Sequence, residues 1–221
     1  MRMRYARWSL AVVVTLFVGY SLAPYLTGGS RVPPTFWLHR PLLLVHVFTG
    51  SVAMVCAVGQ LWSFMRGRVA RWHRTTGRVY VAAAVPAALS ALVIGPATPF
   101  GPLLAVSNVA LGALWLWFTV AGYRAARQRR IADHRVHMLR SAVLALSVLS
   151  NRVWTPLLFI TLQPLRGNVF EGNDEHYLWF VAGLGGWLGW VLPLVLVNRW
   201  LRRRGGMTSS SNRREREREP V

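Results

Sequence analysis

The chain has 221 residues, of which 53% are hydrophobic and only 15% are charged, and its formal net charge is +19. Soluble domains carry about 25% charged residues, so this composition argues against a soluble globular protein. All 26 basic residues are arginines, and most of them lie between long apolar runs. A nucleic-acid partner is therefore not indicated, because membrane topology already explains where the positive charge lies.

Six apolar runs are long enough, or nearly so, to cross a bilayer, which needs about 20 residues per helix. They cover residues 8–26, 42–65, 79–95, 103–123, 138–162 and 178–200. The third run contains Pro86, which a membrane helix tolerates because its neighbours satisfy the freed carbonyl. The predicted fold class is an all-α bundle of six transmembrane helices over residues 1–204. The Ser-, Arg- and Glu-rich stretch 205–221 is predicted to be a disordered tail.

The arginines favour alternate gaps between the runs. Arginine clusters precede the first run and follow the sixth. Two more lie between the second and third runs and between the fourth and fifth, whereas the gap at 96–102 has no arginine. Because arginine-rich segments stay inside, both termini are predicted to be cytoplasmic, in a cytoplasmic (inner) membrane. The absence of lysine is typical of a GC-rich bacterial genome.

The first run has an alternative interpretation as a cleaved signal peptide. It has a basic start and a Ser21-Leu22-Ala23 triplet. However, Pro24 would follow the cut, and the apolar stretch exceeds the usual length of about 7–15 residues. A retained helix is therefore favoured.

Three histidines lie at the predicted cytoplasmic starts of the third and fifth helices. His134 and His137 are three residues apart and share a helix face, and His73 would face one of them if the two helices pack together. Paired imidazoles on facing helices hold b-type haem, so these three residues are candidate haem-iron ligands. The alternative is that they are interfacial residues solvated among arginines and lipid phosphates.

Arginines beside these histidines form a predicted cationic rim on the cytoplasmic face. Arg74, Arg78 and Arg140 lie at helix entries, together with Arg71 and Arg135. Such a rim would attract anionic lipid headgroups or a phosphorylated ligand, at about 1 kcal/mol per basic residue near the surface. Topology alone also explains the rim.

Two polar residues lie within the spans near the outer face. From the rise per residue of a helix, Arg152 lies about 10 Å and His46 about 6 Å below the outer edge, so the two are nearly level. A charge within the bilayer usually faces the bundle interior and has a partner. No carboxylate lies in any span, so Asn151, Gln60, Asn108 and backbone carbonyls are candidate partners. The alternative is an Arg152 side chain that snorkels outward.

The last run contains Gly185 and Gly189, which would let a neighbouring backbone approach closely. Elsewhere the sequence has no phosphate-binding glycine loop, nucleophile elbow or pair of catalytic carboxylates. An enzymatic activity is therefore not indicated.

Many of the residues singled out above belong to short strings. These are His46 with Gly50, Gln60, the segment from Arg71 through His73-Arg74 to Gly77-Arg78-Val79-Tyr80, the segment 134–141, and Asn151-Arg152-Val153-Trp154. With them, the chain resembles over roughly residues 40–200 an uncharacterised, mostly bacterial multi-pass family catalogued as domain of unknown function 2306. That resemblance implies a helical membrane fold and no established activity. A looser resemblance to the bundles of b561-type cytochromes would allow at most one haem site, since the fourth run has no histidine.

Two functional hypotheses follow. The chain is either a small-molecule or redox membrane module, or a non-enzymatic membrane component whose arginines and histidines serve topology and anionic-lipid contact. Transport is less favoured, because few polar residues, such as Asn108 and Ser147, lie midway along the spans.

Overall fold

In a computed structural model of the protein, the backbone is described over residues 2–65 and 71–216, and the side chains over 8–62 and 72–203. Within these ranges the chain forms seven helices and no strand. They are α1 (Arg2–Leu26), α2 (His39–Met65), α3 (Arg71–Ile94), α4 (Pro102–Arg127), α5 (Ile131–Thr161), α6 (Gln163–Asn168) and α7 (Asp174–Arg216).

Every described helix except α6 is long and apolar enough to cross a membrane. This confirms the predicted all-α fold with six spans. Each predicted apolar run lies within one of these helices, except that the third and fifth runs extend one residue beyond the helix end. Helices are expected because the bilayer core offers no water to the backbone, so each span must satisfy its own N–H and C=O groups. α3 begins at Arg71 rather than at 79, so its first two turns are polar.

Beyond residue 204, α7 continues as a helix to Arg216, and residues 217–221 lie outside the described part. The disordered tail over 205–221 stays a prediction. Extending an existing helix requires no new nucleus, so a polar segment that follows a packed span can continue its helix.

Small side chains bring the central helices together. α2 packs extensively on α3, and α5 packs on α7, while α4 contacts α3, α5 and α7. The α2–α3 contact is rich in buried alanines, including Ala53, Ala57, Ala84 and Ala87. α1 is peripheral and packs mainly on α2, with Val14 buried in that contact.

The predicted close approach at Gly185 and Gly189 is confirmed. A Cβ atom placed on Gly189 would lie 3.0 Å from the Cα of Asn151, and one on Gly185 would lie 3.1 Å from the Cα of Thr155. Both neighbours belong to α5. The absence of side chains at the two glycines therefore lets α5 and α7 pack backbone against backbone.

We define the two ends of the bundle by their connections. The distal end carries the segments 27–38, 95–101 and 162–173. There the Thr35 hydroxyl donates to the Ala97 carbonyl (2.9 Å) and the Trp179 indole N–H donates to the Pro99 carbonyl (3.2 Å). The terminal end carries the start of α1, the turn 128–130 and the far end of α7.

Candidate functional site

A cavity of about 360 Å³ opens among α1 to α5 toward the distal end. Most of its wall is apolar, and the larger apolar side chains are those of Phe17, Met54, Leu111, Trp115, Leu144 and Val148. A few polar side chains share the wall, including those of His39, His46, Asn108 and Arg152. The predicted pair His46 and Arg152 therefore lines one cavity, although the two residues lie on different helices.

The backbone of α3 fixes the orientation of the His46 ring. His46 is half-buried, and its Nδ1 lies 2.9 Å from the carbonyl oxygen of Ala87. A carbonyl can only accept, so Nδ1 carries the proton in this hydrogen bond. In the neutral ring, Nε2 is therefore left as an acceptor on the wall of the cavity.

His39 has the opposite arrangement. It is 2% exposed, and its Nδ1 accepts a hydrogen bond from the backbone N–H of Thr35 (3.2 Å), with the Thr35 hydroxyl 2.7 Å away. In the neutral ring the proton is then on Nε2, which makes Nε2 a donor. His39 lies seven residues before His46, so two turns of α2 present one imidazole donor and one imidazole acceptor on the same face.

Arg152 differs from the other cation of the cavity wall, Arg31, in having no hydrogen-bond partner within the described residues. Its side chain is exposed, and within the described residues its guanidinium makes no hydrogen bond or ion pair. The adjacent Asn151, a candidate partner from the sequence, turns to α7 and accepts a hydrogen bond from Thr155 (2.8 Å). No Asp or Glu lines the cavity. Asn108 is a wall residue whose amide makes no hydrogen bond within the described residues.

Below the cavity lies a closed ring of buried hydrogen bonds on α3, α4 and α5. The Trp115 indole N–H donates to the Tyr80 hydroxyl (3.1 Å), which lies 2.6 Å from Ser141 Oγ. Ser141 Oγ lies 2.7 Å from Thr119 Oγ1, and Thr119 donates back to the Trp115 carbonyl (2.7 Å). Because that carbonyl can only accept, every donor in the ring is assigned: Tyr80 donates to Ser141, and Ser141 donates to Thr119. The floor of the cavity is therefore fully satisfied.

The sequence did not single out His39 as a cavity residue, although its spacing of seven from His46 is a usable signal. Gly50, one turn further along α2, also lines the cavity. A Cβ atom added to Gly50 would have no atom within 4 Å, so this glycine leaves open space beside His46.

Gln60 and His73 lie at the terminal end, away from the cavity. The Gln60 amide donates to the His73 carbonyl (2.8 Å) and to the Thr76 hydroxyl, which joins the end of α2 to the start of α3. The ring of His73 is half-buried, and within the described residues its buried Nδ1 has no hydrogen-bond partner. Gln60 is therefore an interhelical contact here and does not approach Arg152.

The other two histidines of this group pack on α4. His134 Nδ1 donates to the Gly122 carbonyl (2.9 Å), and the His137 ring lies tilted against Phe118 with 6.0 Å between ring centroids. The His137 Nδ1 atom is buried and has no hydrogen-bond partner within the described residues.

This arrangement does not support the haem hypothesis. Two axial ligands must face each other across a flat slot, but His134 and His137 are turned onto α4 by Gly122 and Phe118. The described residues contain no group of three or more His, Cys, Asp or Glu side chains suited to a metal ion.

The predicted cationic rim is divided in the structure. Arg74 and Arg78 are exposed at the start of α3. Arg140 is instead half-buried: its Nε donates to the Asn198 amide oxygen on α7 (2.8 Å), and its guanidinium lies 5.4 Å from the centre of the Phe118 ring. Arg140 therefore joins α4, α5 and α7.

A family model described as "Predicted membrane protein (DUF2306)" matches residues 43–201, well over half of the chain. The matched segment includes His46, Gly50, Asn108 and Arg152, and it begins after α1 and His39. The comparison with curated proteins gave no match, and neither did the comparison with solved structures. The family match confirms the resemblance drawn from the sequence, and the chain belongs to this family of predicted membrane proteins.

Proposed function

We propose that this member of the DUF2306 family is a membrane protein that binds a small molecule in the distal cavity. The observation that carries the proposal is the convergence of His39, His46, Asn108 and Arg152 on a single cavity with a mostly apolar wall. Small-molecule sites are typically concave and largely apolar, with a few placed polar groups, and have volumes of about 300–1,000 Å³. A volume of about 360 Å³ fits one compact ligand.

The competing hypothesis, in which these residues serve only topology and lipid contact, leaves three features of the cavity unexplained. Topology does not require imidazoles on α2 with fixed and opposite tautomers. It also does not require an unpaired amide at Asn108, or the open space beside Gly50. Polar and charged groups within a membrane span are rare and usually have a partner, and a bound ligand would supply one to Asn108 and Arg152.

Two glycines allow a matched test. A Gly50→Leu side chain would enter the cavity, whereas Gly19→Leu on α1 would enter open space outside the cavity wall, and neither would meet an atom at its Cβ. Leucine is also the better helix former by about 0.8–1.0 kcal/mol, so we expect both variants to fold.

The measurement is mass spectrometry of organic extracts from wild-type and variant protein purified in the same detergent. We expect a compound that is enriched with wild type and with Gly19→Leu and is depleted with Gly50→Leu. Identical extracts from all three proteins would contradict the proposal.

We further propose that the exposed arginines at the terminal end, such as Arg74 and Arg78, contact anionic headgroups on the cytoplasmic side of an inner membrane. Their exposure at the start of α3 supports this. Adding phosphatidylglycerol to phosphatidylcholine nanodiscs should raise the thermal stability of wild type more than that of Arg74→Gln/Arg78→Gln. An equal effect on both proteins would leave topology as the only role of these arginines.

A further inference from the structure

We infer that the ligand of the distal cavity is an anionic single-chain amphiphile, whose negatively charged headgroup binds Arg152 and whose apolar part extends over Trp115. This inference rests on the proposed function and specifies the chemical class of the ligand. It is argued from the charge of the cavity, from its hydrogen-bond donors and from its size.

No carboxylate of the described residues balances the charge of the cavity. Two arginines line the wall, Arg31 and Arg152. Arg31 is engaged by Tyr20: it donates to the hydroxyl (3.0 Å) and to the carbonyl (2.7 Å), and its guanidinium lies 3.9 Å from the ring centre. Arg152 has no such partner within the described residues, and no carboxylate lines the cavity. A guanidinium remains charged in proteins, so a bound anion would be its counter-charge.

Other donors on the same cavity wall suit the oxygen atoms of an anionic headgroup. The Asn108 amide makes no hydrogen bond within the described residues, and the Nε2 of a neutral His39 is a donor. Charge-assisted hydrogen bonds from a guanidinium to a carboxylate or phosphate are about twice as strong as neutral ones. The site therefore favours a carboxylate or phosphate over an uncharged alcohol.

The rest of the cavity suits a chain or a small ring. Phe17, Met54 and Leu111 give it an apolar wall, and Trp115 forms its floor over the satisfied hydrogen-bond ring. A volume of about 360 Å³ lies at the lower end of the range for ligand sites. One acyl chain fits this space better than the two chains of a phospholipid.

The test uses three probes that separate the headgroup from the chain: inorganic phosphate, dodecanol and dodecyl phosphate. Binding to the full chain in phosphatidylcholine nanodiscs is measured by calorimetric titration at neutral pH. Arg152→Gln removes the charge from the cavity. Arg40→Gln is the matched control, because Arg40 is also exposed at the distal end but bonds the Gly28 carbonyl and does not line the cavity.

We expect wild type and Arg40→Gln to bind dodecyl phosphate at least about tenfold more tightly than either dodecanol or phosphate, as charge-assisted bonds imply. Arg152→Gln should lose that tenfold preference and keep its affinity for dodecanol. Gly50→Leu should weaken the binding of both chain-bearing probes.

Three results would overturn the inference. The first is dodecyl phosphate that binds Arg152→Gln within twofold of wild type. The second is wild type that prefers dodecanol or fails to bind dodecyl phosphate. The third is a pair of results: phosphatidylglycerol raises the thermal stability of wild type more than that of Arg152→Gln, and Gly50→Leu does not change the binding of dodecyl phosphate. This pair would identify Arg152 as a contact for bilayer phospholipid. If Gly50→Leu weakens dodecanol binding but charge has no effect, the cavity still binds small molecules and only the anionic class is wrong.

Discussion

The two histidines of α2 show how the backbone sets the chemistry of a side chain. His46 donates through Nδ1 to a carbonyl, whereas His39 accepts at Nδ1 from an amide. The remaining nitrogens therefore have opposite roles toward the cavity. The sequence predicts that His46 and Arg152 lie at a similar depth, but it contains no information on the carbonyl of Ala87, which lies 41 residues away and fixes the tautomer.

At the same scale, the hydroxyl of Tyr80 is a buried member of the hydrogen-bond ring below the cavity. Tyr80 is 1% exposed, accepts from Trp115 and donates to Ser141. In Tyr80→Phe the Trp115 indole N–H becomes a buried donor without an acceptor, which costs about 1–3 kcal/mol. We expect a lower thermal unfolding midpoint in detergent, by about 2–4 °C per kcal/mol for a chain of this size.

The control for this prediction is Tyr123→Phe, since Tyr123 is 42% exposed on α4. A surface substitution of this kind should change stability by no more than about 0.5 kcal/mol. Equal midpoints for Tyr80→Phe and wild type would show that the hydrogen-bond ring does not stabilise the fold.

Among the elements, α5 and α7 illustrate what a sequence pattern can and cannot predict. The spacing of Gly185 and Gly189 predicts a close helix contact, and the structure confirms it. The pattern did not identify α5 as the partner, because every helix of this chain offers small or apolar residues to its neighbours. Asn151 was predicted to be a ligand-binding residue from its place beside Arg152, yet its side chain and backbone face α7.

The α5–α7 contact predicts a strong effect of one methyl group. In Gly189→Ala the new Cβ would lie 2.8 Å from Asn151 Cβ and 3.0 Å from its Cα, and a helix backbone cannot yield locally. Overpacking of this kind costs about 1–3 kcal/mol, so we expect a clearly lower unfolding midpoint. Gly19→Ala, which meets no atom, should be neutral or stabilising, because alanine favours a helix by about 0.5–1 kcal/mol. Equal stability of the two variants would show that α5 and α7 are not in close contact.

Across the whole molecule, the fold is more predictable than the site. Apolar length alone located the six spans, because lipid permits little other than helices. The group at the terminal end was harder to interpret: His73, His134 and His137 were candidate haem ligands or interfacial residues, and the last two are turned onto α4 by Gly122 and Phe118. These side-chain orientations depend on which helix packs opposite, and the spacing of residues within one helix does not predict that partner.

The orientation of the whole bundle follows from its arginines and is open to a direct test. Of the arginines in the described residues, only four, Arg31, Arg40, Arg152 and Arg166, belong to the distal half of the bundle, and the others belong to the terminal half or to the end of α7. Because arginine-rich segments stay inside, we predict that the distal end, with its cavity, faces outward. The chain has a single cysteine, Cys56, so a Cys56→Ala background permits single-site labelling.

Two exposed positions between the spans serve as reporters in that background: Gly167→Cys in α6 at the distal end and Gln128→Cys in the turn at the terminal end. We expect a membrane-impermeant maleimide to label Gly167→Cys in intact cells, and to label Gln128→Cys only after permeabilisation. The opposite pattern would show that the distal end faces the cytoplasm, and the anionic ligand of Arg152 would then have to come from there. Labelling of both sites in intact cells would contradict the placement of these two connecting segments at opposite ends of a bundle that crosses the membrane.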